Sequence, residues 1–360
     1  MSQKRFFRQV VEVPQKVNFT HVIDDSAYRL AENSFQRGWI RVEFKTTQID
    51  LFTFQEKESQ KAFLILDATE PIHLEEFSKK AYMILIAVGF LTGKFYQNDG
   101  YFFGFDDEKM ETPVCWKYME LRKSMDAKYY PVHSNAYGIA RDHDVAAQFH
   151  LKLKPISNPV FSSLCSKLDK EPEFQALMVL QLEACSSSLL LMPTGLFVVL
   201  EGFRNLLKLK NGKHFEFLER EISAEIKDKL IEILGAFEKR VPEESHRILK
   251  NKITNLDQLP NQTVLMKPFE IFNIPISKAD EECIGRRNTF LHGKISLGLY
   301  EKGEDKKAGE EMLYHAMKTY TLVSALILKY IGFEGFIINH AKWHEKNAGR
   351  EIDEPLFIEI

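Results

Sequence analysis

The chain has 360 residues, of which 44% are hydrophobic and 28% are charged, and its formal net charge is −3. This composition excludes a chain that is disordered throughout, and the length is enough for two domains. The slightly negative charge excludes a protein that binds nucleic acid over its whole surface, so any such contact must come from a local patch.

The first part of the chain is predicted to be rich in β-strands. Polar and apolar side chains alternate with a period of two at residues 39–45, and further short runs favour strands. These runs are 49–54, 62–66, 101–105 and 114–121. A helix is predicted at 74–91, because apolar residues recur on one face, and Gly93 is predicted to end it. The expected result is a sandwich-like or curved sheet that carries one helix.

The second part of the chain is predicted to be helical. Residues 154–159 contain two prolines among turn-forming residues and therefore mark a boundary, with a β-rich N-terminal domain at 1–156 and a helical domain at 157–360. The predicted helices are 173–191, 193–209, 215–239, 243–255, 277–299 and 309–330, with a proline-bearing connection at 259–275. Helices joined by short connections favour a bundle. The predicted fold class is therefore α+β, with an all-α bundle as its second domain.

Cysteine usage and hydropathy favour the cytoplasm. The four cysteines are widely separated and form no CxxC pair, which favours a reducing compartment. No apolar segment follows the basic residues near the N-terminus, so no signal peptide is predicted. The longest apolar run, at residues 81–91, is too short to span a bilayer. We therefore expect a cytoplasmic protein with no membrane segment.

The segment at residues 285–293 carries the most chemical information. It places Arg287, Asn288 and His292 within six residues. Arginine offers a planar fork of donors that fits a phosphate, and histidine is the side chain best suited to transfer protons near neutral pH. These groups are a minimal set for cleaving a phosphodiester without a metal, which makes RNA the first substrate to consider.

Spacing alone is weak support, because Arg240 and His246 provide a similar pair by chance. The pair of Arg287 and His292 is distinguished by Asn288, by the glycine after the histidine and by predicted helices on both sides. Asn288 and His292 share a helical face, whereas Arg287 and His292 diverge by about 140°. One copy is therefore a poor phosphate site, and two copies facing each other across a two-fold axis could complete it.

Residues 287–292, Arg-Asn-Thr-Phe-Leu-His, match the R-N-x-x-x-H signature of the HEPN-domain ribonucleases. With its β-rich first part and helical second part, the chain most resembles the Apea-like branch of that family. The resemblance extends over residues 160–335 in helix pattern and is specific only at the motif. It implies a HEPN-like bundle that acts as a homodimer with a composite cleft and needs no metal or cofactor. It also implies that Glu201 is the acidic residue of an earlier helix.

The function that this resemblance implies is a metal-independent endoribonuclease. Such an enzyme would be a prokaryotic toxin or antiphage defence effector, activated by a trigger or a regulatory partner, with residues 1–156 as a sensing or regulatory domain. His292 would act as general base on a ribose 2′-hydroxyl or as general acid at the leaving oxygen. Arg287 would stabilise the phosphorane, and Asn288 would orient the histidine or the phosphate. The products would carry 2′,3′-cyclic phosphate and 5′-hydroxyl ends, and DNA would resist cleavage.

A non-catalytic interpretation stays open. Arg286 and Arg287 could form a solvated helix face, and His292 could be a packed or capping residue. The HEPN-like fold would then serve dimerisation or the binding of another partner, and the motif would have a structural role.

One pair of histidines near the C-terminus has the spacing of a metal site. His340 and His344 have the spacing of two ligands on one helix, but Ala341 stands where an HExxH motif needs glutamate. We therefore expect this C-terminal segment to be exposed rather than to bind a metal.

Overall fold

The computed structural model describes most of the chain. The described residues are 3–14, 17–24, 26–31, 34–96, 99–120, 124–133, 143–210, 217–257, 259–292 and 304–360. Within them strands dominate the first part and helices the second, so the predicted α+β fold class is confirmed. No helix of the described ranges is long and apolar enough to cross a membrane.

The first part of the chain forms an antiparallel sheet. Its strands are β1 (Phe6–Val13), β2 (Ser26–Ala31), β3 (Ser34–Glu43), β4 (Gln48–Gln55), β5 (Ala62–Ala68), β6 (Lys94–Phe95), β7 (Asp99–Phe105), β8 (Cys115–Glu120) and β9 (Met125–Asp126). Seven of them make one sheet in the order β2-β3-β4-β5-β1-β7-β8, and β6 pairs with β9. The five predicted strand runs are confirmed, and β1, β2, β6 and β9 add to them.

Most of the described helices lie in the second part of the chain. They are α1 (Leu74–Thr92), α2 (His143–Lys152), α3 (Asn158–Lys170), α4 (Pro172–Ser186), α5 (Met192–Lys210), α6 (Arg220–Ala236), α7 (Glu243–Thr254), α8 (Asn261–Ile271), α9 (Lys278–Gly285), α10 (Arg287–Leu291), α11 (Glu304–Tyr330) and α12 (His340–Asn347). Near the C-terminus, β10 (Phe336–Ile338) pairs with β11 (Phe357–Glu359). The first two helices, α1 and α2, precede residue 156 and belong to the strand-rich part.

Three helix predictions need correction. The helix predicted at 173–191 ends at Ser186, where the chain turns before α5 begins. The connection predicted at 259–275 is wrong, because α8 occupies most of it and tolerates Pro268 as a buried residue of the core. The helix predicted at 277–299 is interrupted at Arg286, and the part from residue 293 onward lies outside the described residues.

Helix α1 lies at the centre of the hydrophobic core. It contacts β1, α3 and α4, and nearly every residue of its second half is apolar and buried. A helix that is apolar all round is stable only when it is covered on all sides. Gly93 ends it in the left-handed region at φ 70°, where glycine carries the least strain. The core therefore runs without interruption from the sheet into the helices.

Helices α4 and α5 pack closely because two glycines permit it. A methyl group at Gly195 would lie 2.7 Å from Cβ of Ala184, which is well inside van der Waals contact. A methyl group at Gly202 would overlap the side chain of Leu177. The glycines therefore hold α5, which carries Glu201, at short range from α4.

The C-terminal segment closes over the junction between the two parts. His340 is buried in α12, and its Nε2 lies 2.7 Å from the carbonyl oxygen of Tyr130. The Ile338 amide donates to the Pro131 carbonyl at 3.1 Å. The expectation of an exposed segment is therefore wrong, because His340 packs against aromatic rings that include Tyr320. One core serves both parts, so the division at residue 156 stays a prediction.

Candidate functional site

Helix α9 leads into the motif, and its start is fixed by a capping box. The Ser277 hydroxyl accepts from the Asp280 amide at 3.2 Å, and the Asp280 carboxylate accepts from the Ser277 amide at 2.8 Å. Asp280 also lies 2.8 Å from Nζ of the buried Lys318 in α11, and Glu354 lies 2.5 Å from the same Nζ. Burial alone would lower the pKa of Lys318, but the two carboxylates outweigh it and raise that pKa. These bonds tie α9 to α11.

Helix α10 carries the motif and is held between α5 and α11. Phe290 is its buried anchor, because its ring stacks on Phe197 of α5 at 5.8 Å and meets the His315 ring of α11 edge-on at 5.6 Å. Asn288 and His292 are exposed. The short helix therefore has one side fixed in the core and another side open to solvent.

The structure brings Arg287 and Glu201 together, although 86 residues separate them in sequence. The Arg287 Nε donates to Glu201 Oε1, and its Nη1 donates to Asn288 Oδ1 at 2.6 Å. The exposed fractions of the Arg287 and Glu201 side chains are 20% and 25%, so the ion pair is partly buried and open to solvent on one side. A guanidinium has five N–H donors, so these two bonds do not exhaust its capacity to bind a phosphate.

His292 lies one residue beyond α10, on the open side of the site. Its backbone amide donates to the Asn288 carbonyl at 3.1 Å, and its side chain is exposed. Within the described residues, no hydrogen bond or ion pair joins its imidazole to Arg287 or Glu201. Arg287 contacts α5, whereas His292 faces solvent, so the two groups have different surroundings in a single chain.

A further histidine, His315, lies behind the motif and was not predicted from the sequence. It is buried in α11, and its Nε2 lies 3.8 Å from Glu311, which pairs with Arg286. Burial, and then the positive charge of Arg286, lower the pKa of His315 to about 4. The residue is therefore neutral near neutral pH and supports α10 through Phe290. No local sequence signal marks it, because its burial depends on tertiary packing.

A basic groove continues from the Glu201 side of α5. Arg204 and Lys208 follow Glu201 at three and seven positions, so the three side chains fall within about 60° around the helix axis. The groove is a cavity of about 1060 Å³, and its charged lining residues are Arg204, Lys208, Arg220, Lys227 and Asp257. The spacing on α5 is visible in the sequence, but the contribution of α6 depends on the fold.

The arm, defined as α6, α7 and the turn between them at residues 220–254, exposes an apolar row. Ile222, Ile226, Ile233 and Phe237, here called the arm stripe, fall within about 60° around the helix axis. Each is between 36% and 58% exposed. Helix α6 buries only Ser223 and Leu234 over its described length, and no residue of α7 is buried. An exposed apolar row of this length indicates an interaction surface.

Comparison with protein-family models, with curated proteins and with solved structures found no significant match. Among the described residues, no group of three or more His, Cys, Asp or Glu side chains is placed to hold a metal ion.

Proposed function

We propose that the chain is a metal-independent endoribonuclease of HEPN type that works as a homodimer. The observation that carries the proposal is the pair of Glu201 and Arg287 beside the exposed Asn288 and His292, on a short helix anchored in the core. An oriented surface guanidinium next to an accessible imidazole supplies the two kinds of group that RNA cleavage through its own 2′-hydroxyl requires.

Arg287 would bind the scissile phosphate. Glu201 and Asn288 each accept one of its hydrogen bonds, so the guanidinium plane is held before the substrate arrives. Donors that are already oriented stabilise the negative charge that builds up on the phosphorane oxygens, without reorganisation during the reaction. The partial exposure of Arg287 leaves the group accessible to RNA.

His292 would transfer protons. As general base, its imidazole takes the proton of the 2′-hydroxyl while that oxygen attacks phosphorus. As general acid, the imidazolium gives a proton to the departing 5′-oxygen. Either role leaves a 2′,3′-cyclic phosphate on one fragment and a 5′-hydroxyl on the other. DNA lacks the attacking hydroxyl and would resist cleavage.

Two copies of the chain would complete the cleft, and the arm stripe is the surface best suited to join them. Two helical hairpins with apolar faces can associate as a four-helix bundle, and a two-fold axis would let each stripe cover the other. The same axis would allow Arg287 of one copy to meet His292 of the other. The different surroundings of these two groups within one chain support that arrangement.

The basic groove supports RNA as the substrate. Nucleic-acid affinity comes mainly from Lys and Arg contacts to phosphates, and these contacts weaken as salt increases. A chain with a net charge of −3 must concentrate its basic residues to bind RNA, and Arg204 and Lys208 do so on the α5 face that carries Glu201. A strand bound at Arg287 would continue along that face.

The central experiment compares wild-type protein with His292→Ala and Arg287→Ala on a labelled single-stranded RNA in the presence of EDTA. Wild type is expected to cleave and to leave cyclic phosphate ends, and each variant is expected to lose activity by about 100-fold or more. Circular dichroism and the molar mass in solution check that the variants fold and associate. A matched control is His150→Ala, which removes an exposed histidine of α2 outside the motif and the arm and should keep full activity.

A mixing experiment tests the composite cleft. Arg287→Ala and His292→Ala are combined in equal amounts under conditions that exchange subunits, so that half of the dimers are mixed. If the two groups of a cleft come from different copies, each mixed dimer has one intact cleft, and about a quarter of wild-type activity returns. If they come from one copy, the mixture stays inactive. That outcome removes the composite cleft and leaves the ribonuclease proposal standing.

The arm stripe also favours a second candidate function, a non-catalytic HEPN-fold protein that dimerises or binds a partner. The two candidates differ in one measurement. Cleavage that persists unchanged in His292→Ala arises from another source, and wild type that dimerises without cleaving RNA under any condition supports the interaction protein.

On the ribonuclease proposal, the biological role would be that of a cytoplasmic toxin or antiphage effector in a prokaryote. Residues 1–156 would then sense a trigger or hold the enzyme inactive until a regulatory partner leaves. Expression of wild type and of His292→Ala in a bacterial host tests this role, because only the wild type should arrest growth when it is active.

A further inference from the structure

A cavity of about 810 Å³ lies between α1, α4 and the sheet, away from the site described above. Gln9, Phe102 and Met119 form its floor on β1, β7 and β8, and its walls include Tyr82 of α1 and Leu180 of α4. Cavities of this size that combine apolar walls with a few polar groups typically bind small molecules.

Gln9 is the residue that sets the chemistry of this cavity. It shares the inner face of β1 with Phe7, Val11 and Val13, where the alternation favours an apolar side chain, and it is 1% exposed. Its Oε1 has no hydrogen-bond partner in the described part of the chain. A buried amide oxygen without a donor costs folding free energy. The oxygen is closed to solvent in this structure, so a bound molecule with an N–H group would recover that cost once the Gln9 amide turns its oxygen toward the cavity.

The other lining groups limit the class of ligand. Lys79 at the rim is paired with Asp169 at 2.8 Å, and Glu183 adds a carboxylate to the lining, so the cavity does not favour an anion. Tyr82 and Phe102 offer aromatic surface, which favours a flat ring. The complementary ligand is therefore uncharged, flat and largely apolar, with one N–H donor.

We propose that this cavity binds an uncharged heteroaromatic small molecule whose ring N–H donates to Gln9 Oε1. The ring packs between Tyr82 and Leu180, and Met119 contacts its edge. This inference does not rest on the ribonuclease proposal. Helix α4 forms one wall of the cavity and packs on α5, so the ligand sits beside the helix pair that leads to Glu201.

The test uses two probes that differ by one methyl group. Isoquinolin-1(2H)-one has a ring N–H, and its N-methyl derivative lacks that donor. The full chain is labelled with ¹³C-methyl methionine, and the Met119 signal is assigned with Met119→Leu. The N–H probe is expected to shift the Met119 signal in a saturable way. The N-methyl probe is expected to bind about tenfold more weakly, because it leaves the amide oxygen without a donor.

The protein control is Gln9→Met, which keeps the length of the side chain and removes the amide. This variant is expected to fold at least as well as wild type, because a buried unpaired oxygen is lost. It is also expected to bind the two probes equally. The proposal is overturned if neither probe shifts the Met119 signal. It is also overturned if both probes bind wild type equally, as they would if an ordered water already satisfied the amide. A preference for the N–H probe that persists in Gln9→Met would overturn it as well.

Discussion

At the scale of single residues, the partner of Arg287 matters as much as Arg287 itself. A surface arginine that is free to rotate loses about 2 kcal/mol of side-chain entropy when it is immobilised on a phosphate. The bonds from Arg287 to Glu201 and Asn288 remove part of that freedom in advance. Glu201 would therefore be a positioning residue, which acts on the substrate only through the guanidinium.

Glu201→Gln tests this role. We expect kcat for RNA cleavage to fall by about 10- to 100-fold, because the guanidinium loses its fixed orientation. KM is expected to stay the same or to fall, since removal of a carboxylate leaves more positive charge for the phosphate. The free energy of unfolding should fall by about 1 to 2 kcal/mol, because the pair is only partly buried.

The matched control is Glu311→Gln, which breaks the neighbouring pair with Arg286 and leaves the motif unchanged. Its kcat should stay within about twofold of wild type, given the small worth of surface ion pairs. Unchanged kcat in Glu201→Gln, or an equal loss in both variants, would contradict the positioning role.

The candidate site could be predicted from sequence only in part. The motif residues Arg287, Asn288 and His292 stand close together in the chain, so their spacing is visible without a structure. The contact between Arg287 and Glu201 joins helices far apart in sequence, and only the family resemblance suggested Glu201. His315 could not be found, because a buried histidine behind a motif has no local pattern.

At the scale of secondary-structure elements, the arm stands apart from the rest of the helices. Helices α4 and α5 bury most of their apolar residues in the core, whereas α6 and α7 are joined mainly to each other. The arm stripe is therefore unexplained by the fold of one chain. Its burial against a second copy would remove four large apolar side chains from water.

Ile226→Glu combined with Ile233→Glu is expected to weaken dimerisation by at least about 100-fold, because two charges would enter an apolar contact. The monomer should keep its stability, since both residues are exposed in the single chain. Sedimentation velocity across a range of concentrations measures the change. RNA cleavage should fall with the dimer if the cleft is composite.

Asp228→Lys serves as the control for this pair of substitutions. Asp228 is exposed on α6 and points about 150° away from the centre of the arm stripe. Its substitution should leave the dimer intact. Dimerisation that survives the stripe variant, or that is lost equally in the control, would place the interface elsewhere.

Helices and strands could be predicted where apolar residues recur at regular spacing. They were missed where a single residue type suggested that no such element was present. The prediction of α1 is accurate because its apolar residues repeat over five turns, and Gly93 marks its end. Helix α8 was missed because Pro268 normally interrupts a helix, yet Leu265 and Phe269 bury beside it and stabilise the turn. Strand β1 was missed because Gln9 and Arg8 hide its alternation.

At the scale of the whole molecule, two buried histidines make stability depend on pH. Burial lowers the pKa of both His315 and His340 to about 4, and the nearby charges of Arg286 and His344 act in the same direction. The unfolded chain binds these protons at its ordinary pKa of about 6.5. Stability is therefore complete above about pH 6.5 and is lost as the pH falls toward about 4.

Urea denaturation at pH 7.5 and pH 5 measures this loss. Each histidine is expected to lower the free energy of unfolding by roughly 2 kcal/mol at pH 5. The double variant with His315→Gln and His340→Gln should have nearly the same free energy of unfolding at both pH values, because carboxylates titrate mostly below this range. A wild-type protein that is equally stable at both pH values would contradict the burial of both imidazoles.

The α+β class could be predicted because the hydrophobic period changes from two to 3.6 along the chain. The way the two parts join could not. The hydrogen bond between His340 and the Tyr130 carbonyl joins residues 210 positions apart in the sequence, and periodicity carries no information about such pairs. The boundary at residue 156 was inferred from prolines. It marks the place where the hydrophobic period changes, whereas contacts between the two parts continue across it.

The position of helix α1 makes each part of the chain depend on the other for its stability. In sequence this helix belongs with the strands of the sheet, but α3 and α4 also cover it. A break after residue 156 would therefore leave each fragment with an uncovered apolar face. Each fragment made alone is expected to aggregate, while the two made together should reassemble into a native-like pair, as halves of a split protein do. Soluble yield and co-purification measure this, and a fragment 157–360 that folds alone would show that the two parts are autonomous.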